Sequence, residues 1–89
     1  MQIIFVEIKC SLGESYHVAG ALVEIDGVSE VYSISGAYDL LIKCYLSEDA
    51  DIGHFINEKV QGVPGITGTM TTIAFNAFSL SYILDAKSK

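Results

Sequence analysis

The sequence contains no arginine and no tryptophan, and it has only one proline and two cysteines in 89 residues. Charged residues make up 18% of the chain, and eleven acidic side chains against five lysines give a formal net charge of −6. Proteins that bind nucleic acid directly neutralise phosphates with clustered lysine and arginine. Because this chain has neither the positive charge nor such a cluster, we expect no direct contact with DNA or RNA.

The two cysteines, Cys10 and Cys44, are far apart and each lies in an apolar run. There is no C-x-x-C motif and no pairing of cysteine and histidine at ligand spacing, so we expect no metal site. Two buried thiols in a reducing cytoplasm are the simpler interpretation, and a disulfide is the alternative. Glycine-rich phosphate loops of the G-x-G-x-x-G or G-x-x-x-x-G-K-[ST] type are also absent, so no cofactor is expected.

The N-terminus does not resemble a signal peptide, because it lacks a basic segment and Glu7 and Lys9 interrupt the first apolar run. No apolar run reaches membrane-spanning length. These features predict a cytoplasmic protein with no membrane partner.

Hydrophobic residues make up 51% of the chain, a high share for one small domain, which we place at residues 1–89. A monomer of this size has too little interior to hide so much apolar surface. We therefore expect homo-oligomerisation.

Apolar periodicity and turn residues predict six main elements in the order β-α-β-β-α-β. The predicted strands are Gln2–Cys10, Val28–Ile34, Leu40–Leu46 and Ile66–Phe78, and the predicted helices are Glu14–Ile25 and a second one between the acids at 48–51 and the turn at Gly62–Gly65. The segment Ser79–Leu84 is expected to form an extra edge strand or to cross to a neighbour, followed by a frayed polar tail at Asp85–Lys89.

The two halves of the chain repeat at an offset of 34 to 35 positions. Two βαβ halves predict a ferredoxin-like α+β fold with an antiparallel sheet and both helices on one face. We expect the first and third strands to be parallel neighbours, which would bring Cys10 and Cys44 close together. The uncovered sheet face needs a partner sheet, as in a dimeric α+β barrel.

The loop Ser35–Asp39 between the second and third strands has two interpretations. One is a plain hairpin turn, with Gly36 adopting a special backbone conformation and Asp39 accepting backbone hydrogen bonds. The functional interpretation is a recognition corner for a small zwitterion, with Asp39 attracting an ammonium group and Tyr38 forming a wall. Since arginine is absent, main-chain amides or the hydroxyls of Thr69, Thr71 and Thr72 would bind the carboxylate.

Both histidines, His17 and His54, fall on predicted helices. Partly exposed helix residues are the simpler interpretation. The alternative is a proton shuttle in a small dimeric α+β barrel enzyme of the monooxygenase or isomerase kind. No second titratable group stands at a matched spacing, so we expect no enzyme.

The run Val28–Ile42 (VSEVYSISGAYDLLI) resembles the central signature of the Lrp/AsnC family of amino-acid-responsive regulators. The later run Val63–Ile66, followed by Thr71, Thr72 and Ile73, resembles the ending of that family's effector (RAM) domain. The similarity spans about residues 2–78.

The resemblance implies a βαββαβ domain whose sheets pair into dimers, which then associate into rings, often octamers. It also implies an amino acid or a related small effector in the cleft between dimers. Carried over by position, the loop residues Gly36, Ala37, Tyr38 and Asp39 would bind this effector, and Thr71 and Thr72 match late-strand hydroxyl positions of the family.

The 89 residues differ from full-length relatives in containing no N-terminal helix-turn-helix. The resemblance therefore implies a stand-alone effector domain that acts on transcription indirectly, as a free oligomer or in mixed assemblies with full-length Lrp/AsnC regulators. Residues 79–89 form a C-terminal extension about which the resemblance implies nothing.

Overall fold

The computed structural model describes residues 1–88, which form a four-stranded antiparallel sheet and three helical segments. The strands are β1 (Gln2–Cys10), β2 (Val28–Ser33), β3 (Leu40–Leu46) and β4 (Ile66–Ala74). The helices are α1 (Ser15–Leu22), α2 (Ile52–Phe55), which continues as a π-helical turn at Ile56–Val60, and α3 (Leu80–Ser88). The spatial order of the strands is β2-β3-β1-β4.

One face of the sheet carries the core. Alternate residues of a strand point to opposite faces, and the buried members of the two central strands are Ile4, Val6, Ile8 and Cys10 in β1 and Leu40, Ile42, Cys44 and Leu46 in β3. Val18 and Leu22 of α1 and Ile56 and Val60 of the π-helical turn complete the same cluster. Helix α1 and the π-helical turn that continues α2 therefore pack on the same face of the sheet. The predicted ferredoxin-like α+β fold is confirmed.

The opposite face, which we call the open face, has no helix over it among the described residues. Its members follow from the strand register and include Ile3, Phe5, Leu41, Tyr45 and Met70. Their side chains are half-buried or exposed, whereas the alternate residues of β1 and β3 on the other face, such as Ile4 and Ile42, are buried. The predicted asymmetry between a covered and an uncovered face is thus present.

The prediction that β1 and β3 run parallel is wrong. They pair antiparallel, with Ile4 opposite Cys44 and Ile8 opposite Leu40. Cys10 and Cys44 therefore lie near opposite ends of the sheet, roughly 20 Å apart at 3.4 Å per residue, and they cannot be bridged. Both are free, buried thiols.

The first helix is shorter than the apolar periodicity predicts. α1 ends at Leu22 rather than Ile25, because the chain turns through residues 23–27 to enter β2. α2 begins after Asp51, whose carboxylate accepts a hydrogen bond of 3.0 Å from the backbone N–H of His54. The acids before this helix therefore do include a capping residue.

The C-terminal region differs most from the prediction. β4 ends at Ala74, not Phe78, and residues 75–79 have no regular structure. The segment 79–84 is not an edge strand, since α3 begins at Leu80. The helix continues through residues predicted to be a frayed tail, of which Lys89 lies outside the described residues.

Gly65, in the turn before β4, packs closely against α1. Its φ is +99°, and a Cβ built there would lie 2.9 Å from a methyl carbon of the Val18 side chain. We expect Gly65→Ala to lower the free energy of unfolding by about 1–3 kcal/mol, from backbone strain and crowding together. Urea denaturation followed by circular dichroism measures this change.

Gly20 provides the matched control, since a Cβ there meets nothing within 4 Å and the residue lies inside α1. Gly20→Ala should raise the free energy of unfolding by up to about 1 kcal/mol through helix propensity. Equal effects of the two substitutions would contradict the packing described for Gly65.

Candidate functional site

The loop between β2 and β3 is a closed hairpin connection. The backbone N–H of Ile34 donates to the carbonyl of Asp39 at 3.0 Å, which joins the two ends of the loop. Gly36 has a φ of +107°, and a Cβ there would meet nothing within 4 Å. Glycine is therefore required for its backbone conformation and not for space.

Asp39 ties this loop to the end of β1. Its backbone N–H donates to the carbonyl of Ile8 at 2.9 Å. Its carboxylate oxygen Oδ2 accepts a hydrogen bond of 2.7 Å from the backbone N–H of Cys10, just where the β1–β4 register shifts between Lys9 and Cys10. One carboxylate oxygen thus has a structural role, and the other has no hydrogen bond among the described residues.

Lys9 also reaches the loop, a contact that sequence reasoning missed. Its Nζ donates to the carbonyl of Ala37 at 3.0 Å, and its side chain is exposed. A lysine and an aspartate therefore flank the same five-residue loop. No pattern in the sequence connects position 9 with position 37; only the pairing of β1 with β3 does.

The charges of Asp39 and Lys9 affect the pKa of the Cys10 thiol. Burial raises the pKa of Cys10, the Asp39 carboxylate raises it further, and a hydrogen bond with Ser15 and the Lys9 ammonium lower it. Burial alone raises the pKa of Cys44 to about 11. Both thiols are therefore protonated at neutral pH and are poor nucleophiles.

The two threonines predicted to bind ligand lie on opposite faces of the sheet. Thr71 pairs with Val6 and lies on the helix-covered face, whereas Thr72 pairs with Phe5 and lies on the open face. The structure therefore does not bring them into one site. Tyr38 is half-buried in the loop, next to Asp39.

Thr71 lines a cleft of about 450 Å³ that sequence reasoning did not detect. We call it the α2–β4 groove; it is lined by Ile52, Gly53, Ile56, Asn57, Gln61, Thr71 and Ile73. None of these side chains is ionisable. The π-helical turn forms one wall, and no sequence signal distinguishes such a turn from an ordinary helix.

The histidines occupy exposed positions. His17 lines a shallow cleft of about 310 Å³ with Ser11, Glu14 and Pro64 among its neighbours. His54 lies on α2 and lines none of the main clefts described for this chain. Among residues 1–88 no group of three or more metal-ligating side chains comes together.

Similarity to known proteins agrees with the fold. The family model of the Lrp/AsnC ligand binding domain matches residues 3–84. The chain belongs to this family. The resemblance read from the hairpin signature is therefore confirmed.

The relatives of this Lrp/AsnC domain include proteins longer than this chain and proteins of about its own length. The HTH-type transcriptional regulator FL11 of Pyrococcus abyssi is 32% identical over 69 residues, which cover 78% of this chain and 45% of that protein. The crystal structure of FFRP-DM1 matches with a TM-score of 0.79 and 32% identity, covering 84% of this chain and all of that one. The hypothetical protein PHS023 from Pyrococcus horikoshii matches with a TM-score of 0.77 and 31% identity, covering 86% and 93%.

The chain spans less than half the length of the first curated regulators that it matches. These relatives are named as transcriptional regulators, which points to a regulatory role. No described helix is long and apolar enough to cross a membrane.

The hydrogen bond from Cys10 to Asp39 predicts a graded loss of stability. Asp39→Ala leaves a partly buried N–H without its acceptor, so the free energy of unfolding should fall by about 1–3 kcal/mol. Asp39→Asn retains an oxygen acceptor and should lose about 1 kcal/mol or less. Urea denaturation at one fixed protein concentration measures both changes.

Asp26→Ala is a suitable control, because Asp26 is an exposed acid with the same charge. It should leave the denaturation midpoint close to that of the unchanged chain. An Asp39→Ala protein as stable as this control would show that the bond to Cys10 contributes nothing.

Proposed function

We propose that this chain is an amino-acid-binding and oligomerisation module that modulates transcription indirectly. Membership of the Lrp/AsnC ligand-binding family and similarity to named regulators support the regulatory role. No helix-turn-helix lies in the described residues, and the net charge of −6 disfavours contact with DNA. The module would therefore act through other protein chains, including full-length regulators in mixed assemblies.

The observation that carries the ligand proposal is the pair of opposite charges at the hairpin loop. Asp39 uses one carboxylate oxygen to hold Cys10 and keeps its negative charge and second oxygen for an ammonium group. Lys9, which reaches the carbonyl of Ala37, supplies a cation for the carboxylate of the same molecule. A free amino acid carries these two groups on one carbon atom, and Gly36, Ala37 and Tyr38 would complete the loop side of its site.

The open face supports self-association, which we propose as a dimer in which two such faces pack together. Its aliphatic and aromatic side chains have no helix over them among the described residues, and stable interfaces have an apolar centre. Its charged members are Glu7, Lys9, Glu30 and Lys43, two of each sign. In a chain of net charge −6 this face is therefore neutral, so charge repulsion would not oppose pairing.

The ligand site and the proposed dimer face adjoin each other, because Lys9 belongs to both. Thr72 shares the open face with Lys9, whereas Thr71 faces the α2–β4 groove. Of the two threonines, only Thr72 shares a face with Lys9, and it pairs with Phe5, four residues or about 14 Å from Lys9 along β1. In the proposed dimer, the second subunit would then contribute residues to the ligand site. In a ring of dimers, such as an octamer, a neighbouring dimer would also contribute to it.

Isothermal titration against the twenty amino acids tests the ligand proposal, with light scattering to measure the mass of the assembly. We expect at least one amino acid to bind. Asp39→Asn should then weaken binding by roughly 1.5–3 kcal/mol, the range for a hydrogen bond to a charged group. Lys9→Met, which keeps the apolar part of the side chain, should weaken binding of the same ligand.

Lys59→Met serves as the control for the lost charge, since Lys59 lies on the π-helical turn away from the loop. An oligomer that binds none of the amino acids would overturn the ligand proposal. Equal binding by the Lys9 and Lys59 variants would remove Lys9 from the site.

The dimer proposal predicts that one buried charge on the open face separates the subunits. Phe5→Asp places a carboxylate at the centre of that face, where it would lose hydration on association. We expect the measured mass to fall to that of a single chain at micromolar concentration. Leu12→Asp is the matched control, because Leu12 is fully exposed on the turn before α1, and it should leave the mass unchanged.

A further inference from the structure

Residues 75–84, which we call the arm, leave the body of the domain. The buried core and the partly buried residues packed against it end at Ile66 along the chain, so no described arm residue contributes to the core. The Cα radius of gyration is 15.0 Å, against about 12 Å for a compact chain of this length. The molecule measures 51 × 29 × 19 Å along its principal axes.

The arm is apolar and uncharged in an otherwise acidic protein. It holds no Asp, Glu, Lys or Arg in its ten residues. Phe75 is 91% exposed and Leu80 is 76% exposed, and Phe78 and Leu84 are also exposed. A nine-residue helix such as α3 is too short to be stable alone in water and takes its stability from packing. Such a segment requires a surface to pack against.

The α2–β4 groove offers a surface of matching chemistry. It is bordered by apolar side chains and by neutral polar ones, and it has no ionisable group. An uncharged segment can enter it without burying an unpaired charge. An acidic or basic partner segment would lose hydration there with no opposite charge to bind.

The α2–β4 groove of the same chain is poorly placed to bind the arm. The arm starts at Phe75, two residues after Ile73 at the end of the groove. Residues 75–79 contain no turn or bend that would reverse the chain. A second copy of the chain can present its groove in the direction that the arm takes.

We propose that the arm of one chain packs into the α2–β4 groove of a second copy. Phe75 and Leu80 are the anchoring side chains, and Gly53 is the point of the groove where the absence of a side chain leaves room for them. This contact uses the helix-covered side of the domain, so it is separate from the open face. It rests on the proposed function only in that both require copies of this chain to associate.

Cross-linking tests the contact directly. Phe75→Cys and Gly53→Cys are prepared as separate variants, one with an affinity tag, and mixed under mild oxidation. A Cβ at Gly53 meets only the Asp51 carboxylate at 3.5 Å, so the substitution is tolerated by its surroundings. We expect a disulfide-linked pair containing one chain of each kind, while the buried Cys10 and Cys44 do not react.

Leu12→Cys is the control for a fully exposed thiol outside the contact. Cross-linking of Phe75→Cys to Gly53→Cys no faster than to Leu12→Cys would overturn the proposal. Preferential closure within one chain of a Phe75→Cys/Gly53→Cys double variant in dilute solution would also overturn it, because the arm would then occupy its own groove.

A mass measurement provides the second readout. Phe75→Ser/Leu80→Ser keeps the net charge and should weaken this association at least tenfold, whereas Leu12→Ser/Tyr16→Ser, two exposed apolar residues elsewhere, should not. Gly53→Trp should block the groove with the same result, and Gly53→Ala should not.

The Phe5→Asp variant separates this inference from the dimer proposal. Cross-linking between Phe75→Cys and Gly53→Cys that persists in the Phe5→Asp background would support the arm contact independently of the open face. Unchanged mass in both the arm and the groove variants, with dimers lost in Phe5→Asp, would overturn the arm contact and leave the open-face dimer standing.

Discussion

The burial of β1 is the constraint on which the rest of this structure depends. This strand lies between β3 and β4, and its inward side chains Ile4, Val6 and Ile8 are fully buried. The helices can cover only one side of so short a chain, so every strand residue with the opposite orientation remains available to another molecule. The uncovered face is therefore a consequence of chain length and alternation, and it does not depend on any particular ligand.

The hairpin loop is hydrogen-bonded to that central strand, so the position of the candidate site depends on β1. Asp39 holds the backbone where β1 changes register, and Lys9 extends from the same stretch to the loop carbonyl. The two interpretations of the loop, a turn residue or a recognition corner, are therefore compatible. A carboxylate has two oxygens, and the structural bond occupies only one of them.

Much of the fold could be predicted from the residues alone. Runs of apolar, β-forming residues located β1 and β3, and the glycines at 27 and 65, both with positive φ, mark the turns that lead into β2 and β4. The prediction of the direction of β3 was wrong, because a helical crossover makes β2 parallel to β1, and the hairpin that follows then makes β3 antiparallel to β1. That error misplaced Cys10 next to Cys44. The region after Ala74 was misjudged because its apolar residues suit a strand as well as a helix, and no core contact selects between them.

The sequence by itself determined the family, the order β-α-β-β-α-β, the uncovered face and the loop Ser35–Asp39 as the candidate site, because these follow from local periodicity and a contiguous motif. Only the tertiary structure decided that Lys9 faces the loop, that Thr71 and Thr72 point to opposite sides, and that a groove lies between α2 and β4. Each of these depends on strand register and helix packing, which bring together residues distant in sequence, and no local pattern encodes them.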